Sequence, residues 1–425
     1  MRKVTWRLIP FLALLYSASF IDRVNMGFAA LSMNKQLGLT PAMFGMAGGI
    51  FFLSYFLFEV PSNLILHRVG ARLWIARVML TWGLVSSATA FVTSAHQLYV
   101  LRFLLGAAEA GFFPGVILYL TYWFPEQRRA RVTAGFMTAI PVASLIGSPL
   151  SAALLNLHGV FGLAGWQWMF LIEGLPAIVL GLVVLGFLTD RVSGADWLTE
   201  DEKNWLTQAL REEARTPRPD HAGSILQFLN ARVVGLGAVY FGLSAGLYGV
   251  ELWLPLILKG YGFKNLAIGF LAGVPYAVAI AGMLLWARRS DRLRERAWHV
   301  IAAAFVGCAG FIAAAFIHQF FLAFLCLTVA VTGIMASRPP FWSLPTQFLT
   351  GGAAAGGIAL INAIGNLGGF AGPYVMGWAT QVSGSFKAGL LTIGAFLLLS
   401  CCLTYVLRKS VLRKDGIELL SKTHA

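Results

Sequence analysis

Apolar runs of about 20 residues return along the whole 425-residue chain, roughly twelve times, between short polar breaks. Each is long enough for a helix to cross the hydrocarbon of a bilayer. Lipid cannot hydrogen-bond a bare backbone, so segments of this length and continuity must satisfy their own N–H and C=O groups as helices. The strict apolar–polar alternation of a membrane-spanning barrel strand is missing. An all-α fold is therefore expected, a polytopic membrane protein of twelve transmembrane helices. With 58% hydrophobic residues, 12% charged and a mean hydropathy of +0.74, lipid is the main solvent of this chain.

A net charge of +14 raises the question of nucleic acid, and the placement of the charges answers it. Arg2, Lys3 and Arg7 precede the first span; His67, Arg68 and Arg72 follow the second; Arg128, Arg129 and Arg131 follow the fourth. Arg288, Arg289, Arg292, Arg294 and Arg296 follow the eighth, and Arg408, Lys409, Arg413 and Lys414 the last, while the intervening loops hold little beyond Lys35, Lys259, Lys264 and Lys387. This alternation follows the positive-inside rule and puts both termini in the cytoplasm. Basic residues that flank spans, with no interleaved aromatic motif, do not read nucleic acid. Cys308, Cys326, Cys401 and Cys402 all lie inside apolar runs, where packing is expected rather than a disulfide framework or a metal site. Asp22 and Arg23 interrupt the first apolar run before any small-residue cleavage site, so it reads as a retained helix.

One long polar segment separates the sixth and seventh spans and divides the chain. The expected organisation is a six-helix bundle over 1–188, a cytoplasmic linker over 189–226, a second six-helix bundle over 227–408 and a cytoplasmic tail over 409–425. Within the linker, Thr199 and Glu202 have capping-box spacing for a short amphipathic helix, followed by stiffening prolines at 217 and 219. The basic turn 67–72 has a counterpart at 290–296, a weak internal repeat that supports two pseudo-symmetric halves.

Four stretches together give a resemblance: 16–25 (YSASFIDRVN), 58–72 (FEVPSNLILHRVGAR), 102–115 (RFLLGAAEAGFFPG) and 361–372 (INAIGNLGGFAG). Over nearly its whole length the chain resembles the major facilitator superfamily. Within it, the likeness is to the anion:cation symporter family, which includes galactonate, tartrate and phthalate carriers, sialin and the vesicular glutamate transporters. The resemblance implies two six-helix halves around a cavity, alternating access, and import of an organic anion with protons across a bacterial inner membrane, by a monomer.

Ionisable groups at membrane depth are costly unless paired or wet, so each is a functional hypothesis. Asp22 and Arg23 lie mid-span in the first helix, about 100° apart, so they serve different partners; Asn25 shares the face of Asp22. Arg102 and Glu109 fall on one face of the fourth span, 97–122, about 10 Å apart along its axis. A proton-coupled anion carrier needs a fixed cation for the carboxylate and an acid that can change its charge. Arg23 and Arg102 can supply the cation, Asp22 and Glu109 the acid, and the resemblance implies the same allocation. Against it stands a static charge network that pins helices together.

Tyr55 in the second span is either a packing residue or, as the resemblance implies, a cavity hydroxyl. Asn362 and Asn366 share a face beside Gly365, Gly369 and Gly372, and either bind a carboxylate or join helices. The resemblance favours binding by one of them. Arg338 precedes Pro339 and Pro340 in the tenth span, 319–343, where the two prolines are expected to break the helix around a cavity. It either meets a second carboxylate or snorkels to the interface. Glu59 and Glu251 read as structural pairs, and Trp166, Trp168 and Trp378 as interface belts. Arg68, Arg72, Asp291 and Arg292 match the family's gating loops; His67 stands where those loops carry an acid, which would make that gate sensitive to pH.

A nucleotide-driven pump is excluded by the lack of a phosphate-binding Gly-x-x-x-x-Gly-Lys-Ser/Thr loop; no His-Glu-x-x-His is present, and the one Gly-x-Ser-x-Gly match, at 242–246, falls inside an apolar span and not at a strand-to-helix elbow, so neither element points to an enzyme. No cofactor is expected. The partners expected are a small organic anion, the proton and the bilayer. A tartrate-like hydroxy dicarboxylate ranks first as substrate, ahead of sugar acids and aromatic acids, and an uncoupled exchanger stays open.

Overall fold

The structure, a computed structural model, describes residues 1–125, 128–129, 132–133, 136, 139–215, 230–349 and 351–422. Arg131, Pro217 and Pro219 lie outside the described residues, as do the side chains of His67, Lys409, Arg413 and Lys414. Every regular element among the described residues is helical, and eleven helical spans, with Ala95–Trp123 counted as one across its turn, are long and apolar enough to cross a membrane. The expected fifth span, 131–156, appears as a shorter apolar helix, Val142–Leu157, with part of its expected range outside the described residues.

The first compact unit comprises Met1–Leu39, Ile50–Pro217 and Gly262–Gly273. Its main helices are α1 (Arg2–Gln36), most of α2 (Pro41–Val69), α3 (Ala71–Ala88), α4 (Ala95–Glu109), α5 (Phe112–Trp123), α6 (Ala139–Leu154), α7 (Gly165–Phe187) and α8 (Glu200–Arg215). Helix α1 packs on α6 and α7, and α3 packs on α4, α5 and α7. Small residues set these approaches. A Cβ at Gly174 of α7 would meet the Gly83 carbonyl and the Ser87 amide of α3, both at 3.0 Å, so the two backbones touch where larger residues would hold them apart.

The fourth expected span is not one helix. The chain turns at Ala110–Gly111, and Gly111 takes a φ of +90° that a side chain would strain, while its missing Cβ leaves room for Ser62. Ser62 Oγ donates to the Ala110 carbonyl at 2.6 Å, replacing a bond that the broken helix no longer makes. The break falls one residue after Glu109, which therefore sits at a helix end rather than in a helix middle.

In the linker, α8 carries the expected capping box: Glu202 Oε2 accepts from the Thr199 amide at 3.0 Å, and the Glu202 amide donates to Thr199 Oγ1 at 3.3 Å. Lys3 Nζ adds an exposed ion pair to Glu202 at 3.0 Å. The amide of Thr199 and then Lys3 hold the Glu202 carboxyl below its ordinary range.

The second unit comprises Thr40–Gly49, Arg218–Tyr261 and Val274–Ala425. It contains α9 (Ala231–Gly260), most of α10 (Asn265–Leu293), α11 (Ala297–Phe316), α12 (Phe320–Trp342), α13 (Gly351–Ser383) and α14 (Phe386–Lys422). Helix α9 packs on α13 and α14, and α11 on α12 and α14. Contrary to the expected break at Pro339–Pro340, α12 runs through both prolines and ends at Trp342. Neither proline has an N–H to donate to the carbonyl four residues back, yet the last turn of α12 continues through both, and Ser343 Oγ donates back to the Pro339 carbonyl at 3.2 Å.

Candidate functional site

Five of the expected site residues gather within the first unit: Asp22 and Arg23 from α1, Tyr55 from α2, Arg102 and Glu109 from α4. As the helical angle requires, Asp22 and Arg23 part company. The Asp22 carboxylate, 3% exposed, accepts from Trp82 Nε1 and Ser86 Oγ of α3 and from Asn25 Nδ2 at 2.8 Å. Three donors on one carboxylate satisfy most of its lone pairs in a dry setting. Arg23 turns instead to Glu109: its Nε donates to Oε1 at 3.1 Å and its Nη2 forms an ion pair with the same oxygen. Ser19 Oγ also donates to that oxygen, at 2.6 Å.

This ion pair is unequal in its access. The Glu109 side chain is 2% exposed and the Arg23 side chain 15%, so the guanidinium is the end of the pair that faces open space. Around it lie the rings of Phe20 at 5.0 Å, Phe51 at 5.3 Å and Tyr55 at 5.6 Å, faces whose negative quadrupoles suit a cation. Arg102 is buried against Phe51 at 5.2 Å and acts electrostatically on both Asp22 and Glu109. A Cβ at Gly106 would strike the Phe51 carbonyl; this close seat of α4 on α2 puts Arg102 and Glu109 at the level of Phe51 and Tyr55. The arrangement joins an accessible cation to a buried carboxylate that competes for it, which is chemistry suited to binding an anion when a proton arrives.

The remaining expected ligands belong to the second unit. Arg338 of α12 is partly buried, with its guanidinium 5.7 Å from the Tyr240 ring. Asn362 and Asn366 of α13 are partly buried. The glycines beside them pack rather than bind: Gly365 makes room for Tyr240, Gly368 for the Phe241 carbonyl and Gly372 for Ala245. Among the expected gating residues, Arg68 and Arg292 are exposed. Arg72 caps its own unit, with its backbone amide on Asp190 Oδ1 at 3.1 Å and its guanidinium on the Leu185 carbonyl. Asp291 pairs with Arg296 within its own turn.

Two corrections concern residues at membrane depth. Trp166 is fully buried and donates Nε1 to Gln36 Oε1 at 2.7 Å, so it is an interior residue and not part of an interface belt. Glu173 of α7, passed over in the sequence reading, is 4% exposed beside the Asp22 cluster and accepts from Ser151 Oγ at 2.6 Å. The signal was present, since Glu173 is the one ionisable residue between Gly165 and Phe187 and the rule for intramembrane charges applies to it equally. Trp82 and Ser86 carried no such signal.

Comparison with known proteins adds four findings. The family model described as Major Facilitator Superfamily matches residues 12–373. The chain is 54% identical over 411 residues to a protein of Agrobacterium vitis described as "Putative tartrate transporter", covering 96% of this chain and 91% of that one. It is 40% identical to a protein of Acinetobacter baumannii described as "Quinolone resistance transporter", over 95% and 94% of the two chains. Among solved structures, a bacterial homolog of the human lysosomal transporter Spinster superposes with a TM-score of 0.80 at 16% identity, covering 96% of this chain and 97% of that one.

Proposed function

The chain belongs to the Major Facilitator Superfamily, and from that premise we propose that this transporter imports a small organic carboxylate together with protons by alternating access. On this reading two six-helix halves, 1–188 and 227–408, are joined by the linker 189–226, and both termini face the cytoplasm of a bacterial inner membrane. The observation that carries it is the Arg23–Glu109 pair.

Its coupling logic is electrostatic. With Glu109 ionised, Arg23 is already neutralised, and a substrate carboxylate would bring a second anion to one cation. With Glu109 protonated, the accessible Arg23 guanidinium loses the negative charge that Glu109 supplied, and its positive charge is offered to an anion. An incoming carboxylate restores the balance. States with the proton alone or the substrate alone are thus disfavoured, and the two move together. Tyr55 offers a hydroxyl beside the same cation, and Arg102 holds the field that keeps Asp22 and Glu109 responsive. Asp22 supplies the second protonatable site that a dicarboxylate needs for electroneutral entry.

A tartrate-like hydroxy dicarboxylate is the preferred substrate, supported by the Agrobacterium vitis relative and by Arg338 as a cation for a second carboxylate. Asn362 or Asn366 would bond its hydroxyls, and Arg68, Arg72, Asp291 and Arg292 would form the cytoplasmic gate. Counterflow in proteoliposomes over a panel of tartrate, galactonate, a hydroxyphenylacetate, a monocarboxylate and a quinolone tests this ranking. The expected result is fastest counterflow for tartrate, with Arg338→Ala lowering dicarboxylates at least tenfold more than monocarboxylates. Equal losses would remove Arg338 from the site, and a quinolone as the one counterflow substrate would overturn the carboxylate ranking in favour of the Acinetobacter baumannii relative's description.

A further inference from the structure

Next to the Asp22 cluster, two buried acceptors lack a donor. Asn25 is wholly buried and spends its Nδ2 on Asp22 Oδ1, which leaves its Oδ1 without a partner. Glu173 takes Ser151 Oγ on Oε1, which leaves its Oε2 buried and without a partner. Asn25 and Glu173 stand on the packed helices α1 and α7, and the Asn25 amide is the side chain of α1 that acts on the Glu173 carboxyl. Two lone-pair oxygens cannot bond to each other unless a proton stands between them, and buried acceptors in native structures are normally satisfied.

The surroundings decide which group carries that proton. The elements packed on α7 are α1, α3, α6 and the short turns Thr89–Phe91 and Leu155–Leu157. Helix α6 and both turns contain no ionisable residue. Helix α3 bears Arg72, bound to the Leu185 carbonyl, and Arg77, stacked at 3.9 Å on Trp74. Helix α1 bears Arg2, Lys3, Arg7 and Lys35 toward its ends and Tyr16, Asp22 and Arg23 within it, with Arg23 taken by Glu109. The charge that acts on Glu173 is therefore Asp22, of like sign, and among the described residues no cation is set against it.

We propose that Glu173 is a proton-holding, positioning residue: as the neutral acid it donates Oε2–H to Asn25 Oδ1, which fixes the amide so that Nδ2 points at Asp22. The chain Ser151–Glu173–Asn25–Asp22 then has every donor matched to an acceptor. Its direction is set at Glu173, since an ionised carboxylate there would attract the Asn25 Nδ2 away from Asp22. Glu173 thereby controls how many donors the coupling carboxylate keeps, without touching substrate. This deepens the proton-coupling reading and rests on it for its transport readout only.

Infrared spectroscopy of the purified protein at neutral pH tests the proton directly. Wild type is expected to show the carbonyl stretch of a buried carboxylic acid that is absent from Glu173→Gln and displaced in Asn25→Leu; identical spectra in that region for wild type and Glu173→Gln would overturn the proposal. The second arm is the pH profile of uptake in proteoliposomes. Glu173→Gln keeps both a donor for Asn25 and an acceptor for Ser151, and is expected to keep the wild-type midpoint, whereas Glu173→Leu moves it by about one pH unit. Equal midpoints for Gln and Leu variants would reduce Glu173 to packing. Should wild-type uptake prove independent of pH, the coupling reading fails, while the infrared comparison still decides the protonation of Glu173.

Discussion

Replacing Glu109 by glutamine is expected to abolish accumulation driven by an inward proton gradient while leaving substrate exchange in place. A gradient of one pH unit stores about 1.4 kcal/mol per proton, enough for roughly tenfold accumulation for each proton carried with the substrate. Glutamine keeps the size of Glu109 and mimics its protonated form, so Arg23 is permanently available to a carboxylate and the substrate moves down its own gradient only. Accumulation in proteoliposomes should fall from about tenfold or more to equality of inside and outside concentrations. Counterflow, which needs no net proton movement, should stay within a few-fold of wild type. Unchanged accumulation by the variant would remove Glu109 from coupling.

The second large effect is expected at Arg23. Arg23→Ala deletes the accessible cation and takes the ion pair from the buried Glu109 carboxylate, which keeps the Ser19 hydroxyl as a donor, so both binding and stability suffer. Losing one partner of a desolvated charge pair costs about 2 kcal/mol or more in binding, which is roughly thirtyfold or more in Kd. Calorimetric titration with the preferred carboxylate should register that loss. Stability should fall as well, and adding Glu109→Gln to Arg23→Ala should recover stability but not binding, because the stranded charge is gone while the ligand's cation is still missing. Retained affinity in Arg23→Ala would take the residue out of the site. Recovery of both properties in the double variant would reassign the pair to helix pinning.

Much of this was legible from residue order. Hydropathy alone forces helices, because lipid leaves the backbone no other partner. The divergence of Asp22 and Arg23 follows from the 100° step of the helix, and the Thr199–Glu202 cap from its spacing. What the sequence could not express was which helix each mid-membrane group would meet. Trp82 and Ser86 reach Asp22 from α3, and Ser19 reaches Glu109 from α1, contacts set by how helices are rotated and seated rather than by any local pattern. The break at Gly111 was hidden because an apolar run through a glycine reads as continuous. Pro339 and Pro340 misled in the opposite direction, since a proline pair signals a break while the last turn of α12 continues through both. Glu173 shows a different gap: it stands outside the four motif-bearing stretches, and only its charge in a strongly apolar helix marks it.

On the proposed reading, protons and a carboxylate cross the membrane together. Simultaneous recording of labelled tartrate uptake and internal pH in proteoliposomes tests it most directly. Tartrate added outside is expected to acidify the lumen, an imposed inward proton gradient to drive tartrate above its external concentration, and a protonophore to cancel both. Tartrate entry with no lumenal acidification, at a rate indifferent to the proton gradient, would contradict it.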